Sequence, residues 1–92
     1  MISSKVIKII RRIAGKYKAK RVYLFGSHIR KLRRKPKDID LAVDGVAPRR
    51  FFSFYGELYD RLTQPVDLID LKPSTLFSRL VVQEGLLIYG RS

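Results

Sequence analysis

The sequence predicts an α+β fold, a two-layer sandwich in which helices pack on one β-sheet. Two observations predict it. Stretches with apolar residues at helical spacing alternate with short runs rich in β-formers, and Gly, Pro or Asp-Gly punctuates the changes between them. No repeat, low-complexity tract or linker breaks the 92 residues, so residues 1–92 are expected to form a single domain. A chain of this size buries about 60–65% of its unfolded surface, so every element must contribute to the core.

The elements follow in order. Residues 3–19 are expected to be helical, because Val6, Ile10, Ile13 and Tyr17 recur along one stripe that Ile9 widens, with Lys and Arg opposite. Ser3 or Ser4 suits the N-cap. The run Val22-Tyr23-Leu24-Phe25-Gly26 reads as a strand covered on both sides, hence central. Ser27 can cap a short helix that Pro36 must end. Residues 38–43 (Asp-Ile-Asp-Leu-Ala-Val) form the second strand, stopped by Asp44-Gly45. Residues 48–63 suit a helix with Pro48 at its first position and Phe51, Tyr55, Leu58 and Leu62 as its stripe. A third strand spans 66–71. Pro73-Ser74 opens a last helix carrying Leu76, Phe77, Leu80 and Val81, with Gly85 at its C′ position, and Leu86–Gly90 makes a fourth strand.

Composition narrows the function. The 46% apolar content is that of a globular chain. With no Cys, neither a disulfide framework nor a thiolate metal site is available, and a single His argues against a His-rich zinc site. Lys8, Arg11 and Arg12 interrupt the N-terminal apolar residues, so no signal peptide is expected, and no apolar run is long enough to span a bilayer. A cytoplasmic protein without membrane attachment is expected. The net charge of +12 calls for an acidic partner such as a nucleotide, a nucleic acid or an acidic protein.

Against that basic background the acids are oddly placed. Of eight, five (Asp38, Asp40, Asp44, Asp67 and Asp70) lie in or beside predicted strands, where Asp is disfavoured. Strand alternation sets Asp38 and Asp40 on one face and Ile39, Leu41 and Val43 on the other. Their Cβ atoms would stand about 6.5–7 Å apart. Carboxylates that close repel each other unless a cation lies between them, and hard oxygen donors favour Mg²⁺ or Mn²⁺. Asp67 can add a third carboxylate, whereas Asp70 points to the opposite face. An isolated Asp-x-Asp is more often simply ion-paired with nearby Lys and Arg on an exposed sheet face. Gly26-Ser27, between a strand and a predicted helix, offers backbone N–H groups and a hydroxyl to a phosphate, with Arg30 one turn on. Alone, that pair is an ordinary N-cap. Together, a phosphate cradle and a carboxylate pair form the two halves of a metal–nucleotide site.

This combination resembles the minimal nucleotidyltransferases (MNT) of the DNA polymerase β-like superfamily, and within them the MntA-like antitoxin type. The matching signature is Gly26-Ser27, the ten residues His28 to Lys37, then Asp38-Ile39-Asp40 followed by Leu41-Ala42-Val43. Asp67 in the run "PVDLIDL" and the ending "VVQEGLLIYG" extend the match over residues 6–90. Lys31 stands where the family often has Gly, and Lys37 where it often has a small hydroxyl residue; neither departure removes a ligand. The resemblance implies a mixed sheet of the polymerase-β-like fold. It implies transfer of AMP, or another nucleoside monophosphate, from a triphosphate such as ATP to an acceptor hydroxyl. Asp38, Asp40 and Asp67 would be catalytic and hold Mg²⁺, two ions in all. Gly26, Ser27 and Arg30 would bind the nucleotide. The implied partner is a HEPN-domain toxin, modified on a tyrosine and thereby silenced.

Two other classes remain open on the residues: a non-catalytic antitoxin subunit that binds nucleotide or partner, and a basic nucleic-acid-binding module using Lys5, Lys8, Arg11, Arg12, Lys16, Lys18, Lys20 and the 30–37 run. The second would show steep salt dependence. Phe51, Phe52, Phe54, Tyr55 and Tyr59 surround so much of one helix that some must be exposed, which leaves room for an oligomer or hetero-complex surface. Gly56 in the same helix costs about 1 kcal/mol relative to Ala, for no reason visible in the sequence.

Overall fold

The computed structural model describes residues 3–25 and 39–91. Helix α1 (Ser4–Lys16), strands β1 (Arg21–Phe25) and β2 (Ile39–Asp44), helix α2 (Pro48–Arg61), strand β3 (Val66–Asp70), helix α3 (Leu76–Glu84) and strand β4 (Leu86–Gly90) follow one another. The expected short helix opening at Ser27 lies outside the described residues.

The sheet runs β3-β2-β1-β4. Strand β1 is antiparallel to both of its neighbours, while β2 and β3 are parallel, so the sheet is mixed as expected. Parallel neighbours need a crossover, and α2 supplies it. Its stripe of Phe54 and Leu58 packs with Ile10 and Ile13 of α1 on Val22, Leu41 and Val43, forming the larger core. Strand alternation sends Tyr23, Phe25 and Ala42 to the other face, where Leu71 and Val81 join them in a smaller core. The sheet with α1 and α2 thus makes the main two-layer sandwich, and α3 covers part of the second face. That second cover explains why β1 reads as apolar throughout.

The start of α1 is as expected, while both ends of α3 differ in detail from expectation. Ser3 caps α1, its Oγ accepting the Val6 N–H at 3.2 Å. Helix α3 begins after Thr75 and not at Pro73-Ser74, because Thr75 and Ser78 satisfy each other's backbone N–H groups in a capping box. Gly85 is not in the left-handed conformation that a C′ glycine would adopt. Its φ is −73°, and glycine is needed because a Cβ would meet the Val81 carbonyl oxygen at 2.6 Å. Left-handed backbone occurs instead at Gly45, with φ +97°, and also at Lys18 and Gly90.

Helices α1 and α2 are tied by Glu57. Its carboxylate accepts from Lys16 Nζ at 2.9 Å and from the Tyr17 hydroxyl at 3.0 Å. The Lys16 hydrogen bond chiefly holds the Glu57 carboxyl below its ordinary value of 4.5, with Tyr17 assisting and desolvation opposing. A depressed folded-state value means that the stabilisation is present above the unfolded-state value and is lost as pH falls through the folded one. Glu57→Gln should therefore melt slightly below wild type at pH 7, and the gap should close as the pH of the thermal scans drops below 4.5. The rest of the outer face of α1 carries Lys5, Lys8, Arg11 and Arg12 in solvent. Among the described residues no helix is long and apolar enough to cross a membrane.

Candidate active site

Burial of Ile39, Leu41 and Val43 in the larger core fixes β2 so that Asp40 projects from the opposite face. Two registers then decide its neighbours. The parallel ladder pairs Asp40 with Asp67, and the antiparallel ladder pairs it with Phe25. Neighbouring strands lie about 4.8 Å apart, and partners in register point to the same face, so the two carboxylates stand side by side. Phe25 walls the other flank, its ring edge-on to Phe77 of α3 at 5.7 Å. Asp40 is only 7% exposed, whereas Asp67 is open to solvent. Both take part in further interactions within the chain.

A buried carboxylate beside a second carboxylate must be offset by positive charge or hydrogen bonds. The donor set is of hard oxygens only, which fits Mg²⁺ and not a soft metal. Among the described residues no three acidic, His or Cys side chains cluster as metal ligands. Asp38, Gly26, Ser27 and Arg30 lie outside the described residues. In sequence Gly26 follows Phe25 and Asp38 precedes Ile39.

The remaining strand acids have other work. Asp44 shares the Asp40 face but lies four residues along β2, where its Oδ2 accepts from Arg21 Nη2 at 2.6 Å. That hydrogen bond is the main reason the Arg21 guanidinium is held above its ordinary value. Asp70 belongs to the opposite face, in register with Val43, and its Oδ1 accepts the Lys72 N–H at 3.0 Å, which shapes the turn after β3. No local pattern marks the Arg21–Asp44 pair, since Asp44-Gly45 reads only as a turn. Nor does any such pattern reveal the cavity of about 410 Å³ beside that pair, lined also by Ser74, Arg79 and Gln83.

Comparison with known proteins identifies the family and the fold. A family model described as "Polymerase beta, Nucleotidyltransferase" matches residues 7–92. Among curated proteins, none matches the chain. Solved structures do. A toxin–antitoxin structure with AMP-PNP is 25% identical, with a TM-score of 0.71 over 94% of this chain and 74% of that one. The MNT antitoxin structure in complex with the tri-AMPylated HEPN toxin of Shewanella oneidensis is 24% identical, with a TM-score of 0.74 over 98% and 74%. The toxin–antitoxin MntA-HepT is 23% identical, with a TM-score of 0.72 over 97% and 74%. The last two likenesses are ones of fold.

Proposed function

The chain belongs to the polymerase β nucleotidyltransferase family, and we propose that it moves AMP from ATP to a hydroxyl of a HEPN-family toxin and so acts as that toxin's antitoxin. One observation carries the reading. The β2–β3 register places Asp40 beside Asp67, on the sheet face that the larger core does not use. Such a carboxylate pair is what a metal-dependent phosphoryl-transfer site requires. A neighbouring structure with AMP-PNP and another with an AMPylated HEPN toxin supply the nucleotide and the acceptor by analogy.

In this reading the acceptor oxygen attacks the α-phosphorus of ATP. The bond from that phosphorus to the oxygen bridging it to the β-phosphorus breaks, and pyrophosphate leaves. The hydroxyl proton passes to solvent or to a carboxylate at the site. Asp38, Asp40 and Asp67 are the residues that would hold Mg²⁺, which when bound neutralises phosphate charge and polarises the reacting oxygens. Gly26 and Ser27 would fix the β- and γ-phosphates through backbone N–H and hydroxyl donors, and Arg30 would stabilise charge on them. Asp67, which is exposed, would meet an incoming hydroxyl. The chain's part is mainly positioning and electrostatics.

The test is to incubate the pure protein with α-labelled ATP, Mg²⁺ and its cognate HEPN partner. Label on a tyrosine of the partner, with pyrophosphate released, is expected. A partner that is neutralised yet unlabelled would instead establish the non-catalytic antitoxin.

A further inference from the structure

Helix α2 keeps part of its aromatic surface outside the core. Phe52 is 82% exposed and Tyr59 55% exposed. Between them Gly56 opens the helix surface, for a Cβ added there would meet nothing within 4 Å. Among the described residues nothing therefore requires glycine, although it costs the helix about 1 kcal/mol relative to Ala. The three residues, with Tyr55 and Asp60, line a groove of about 410 Å³. The aromatic rims are braced from within: Phe52 sits edge-on to Phe51 at 6.3 Å and Tyr59 edge-on to Tyr55 at 6.2 Å. Tyr55 is itself anchored by donating its hydroxyl to the Val66 carbonyl at 2.8 Å.

Arg49, Phe52, Gly56 and Tyr59 follow one another at steps of three, four and three residues, which is the spacing of a two-helix seam. When two such helices run antiparallel about a two-fold axis, positions summing to a constant oppose each other. Here Phe52 falls opposite Gly56 of the partner subunit, and Arg49 falls opposite the partner's Tyr59. Each copy thus supplies one bulky knob and one notch, four residues apart. Arg49 would lie over the partner's Tyr59 ring and within reach of the partner's Asp60. Among the described residues Arg49 and Asp60 form no ion pair within their own chain. The pattern is self-complementary in shape and in charge, as an isologous contact must be.

We propose that the chain self-associates through α2, as an antiparallel two-fold pair in which Phe52 of each copy fills the notch at the partner's Gly56. The pairing leaves both Asp40–Asp67 faces open, because α2 packs on the other side of the sheet. It does not depend on the nucleotidyltransferase reading.

Salt gives it a distinctive signature. Each copy carries +12 overall, so long-range repulsion opposes pairing and screening relieves it. Sedimentation of the purified chain should show the mass rising from one copy to two between low and high micromolar concentration, and more readily at higher salt. Gly56→Leu and Phe52→Ser should stay monomeric under the same conditions. Gly56→Leu should melt no lower than wild type in dilute solution, which separates loss of pairing from loss of fold. The chain has no Cys, so register can be read directly. Arg49→Cys mixed with Tyr59→Cys should form a mixed disulfide under mild oxidation, and neither variant should do so alone. A chain that is monomeric at every salt and concentration overturns the proposal. So does pairing that survives both substitutions, or a groove that binds only a helix of another protein.

Discussion

Asp40→Asn should fold as wild type does and transfer no nucleotide. Asn has the size of Asp and keeps one acceptor oxygen, so the second sheet face retains its packing around Phe25 and Ala42. What disappears is the formal charge on an acid that is only 7% exposed. Losing one preorganised electrostatic group at a phosphoryl-transfer centre costs about 10²–10³-fold in rate, and losing a metal ligand costs at least as much. Label transfer from ATP is therefore expected to fall by about 10³-fold or more, with circular dichroism unchanged. Asp44→Asn is the matched control. It lies on the same face, but its partner is Arg21, at 2.6 Å. It should lose at most about 1 kcal/mol of stability, as half-exposed ion pairs do, and retain transfer within a few-fold. If Asp40→Asn transfers as well as Asp44→Asn, the carboxylate pair is not the reaction centre.

The largest expected loss of stability is at Phe54. Its side chain is fully buried between α2 and the sheet, with the Tyr17 ring edge-on at 5.5 Å. Phe54→Ala removes the aromatic contact and opens a cavity where α1, α2 and the sheet meet, at a cost of about 3–5 kcal/mol. In a domain this small each kcal/mol shifts the melting temperature by about 4–8 °C, so a drop of about 12 °C or more should appear in a thermal scan. Two positions away, Phe52→Ala changes an exposed ring and should move dilute-solution stability by no more than about 0.5 kcal/mol. Equal effects at both positions would mean that α2 is rotated about its axis relative to the arrangement described.

Much of this architecture was legible because burial leaves a local period in the sequence. Val6, Ile10, Ile13 and Tyr17 announce α1, and the alternation from Ile39 to Val43 announces which way Asp40 points. Helix α2 was harder, since aromatics occupy most of its circumference. Phe51, Tyr55, Leu58 and Leu62 fit the expected stripe, yet Phe54 proves to be the most deeply buried ring, and Phe52 beside it the most exposed. A rotation of one residue in a helix is about 100°, too fine for a pattern in which four of the five residues 51–55 are aromatic. The start of α3 was misplaced for a similar reason. Ser74 and Thr75 are both plausible caps, and only the reciprocal bond with Ser78 selects Thr75.

The sequence alone determined the order of the described elements, the face from which Asp40 projects, the turn at Gly45 and the basic outer face of α1, because each follows from residues within a few positions of one another. Only the tertiary structure decided the strand order β3-β2-β1-β4, the pairing of Asp40 with Asp67, the diversion of Asp44 to Arg21 and the exposure of the Gly56 notch. These depend on which backbone hydrogen bonds close across tens of residues, and no local period encodes that choice.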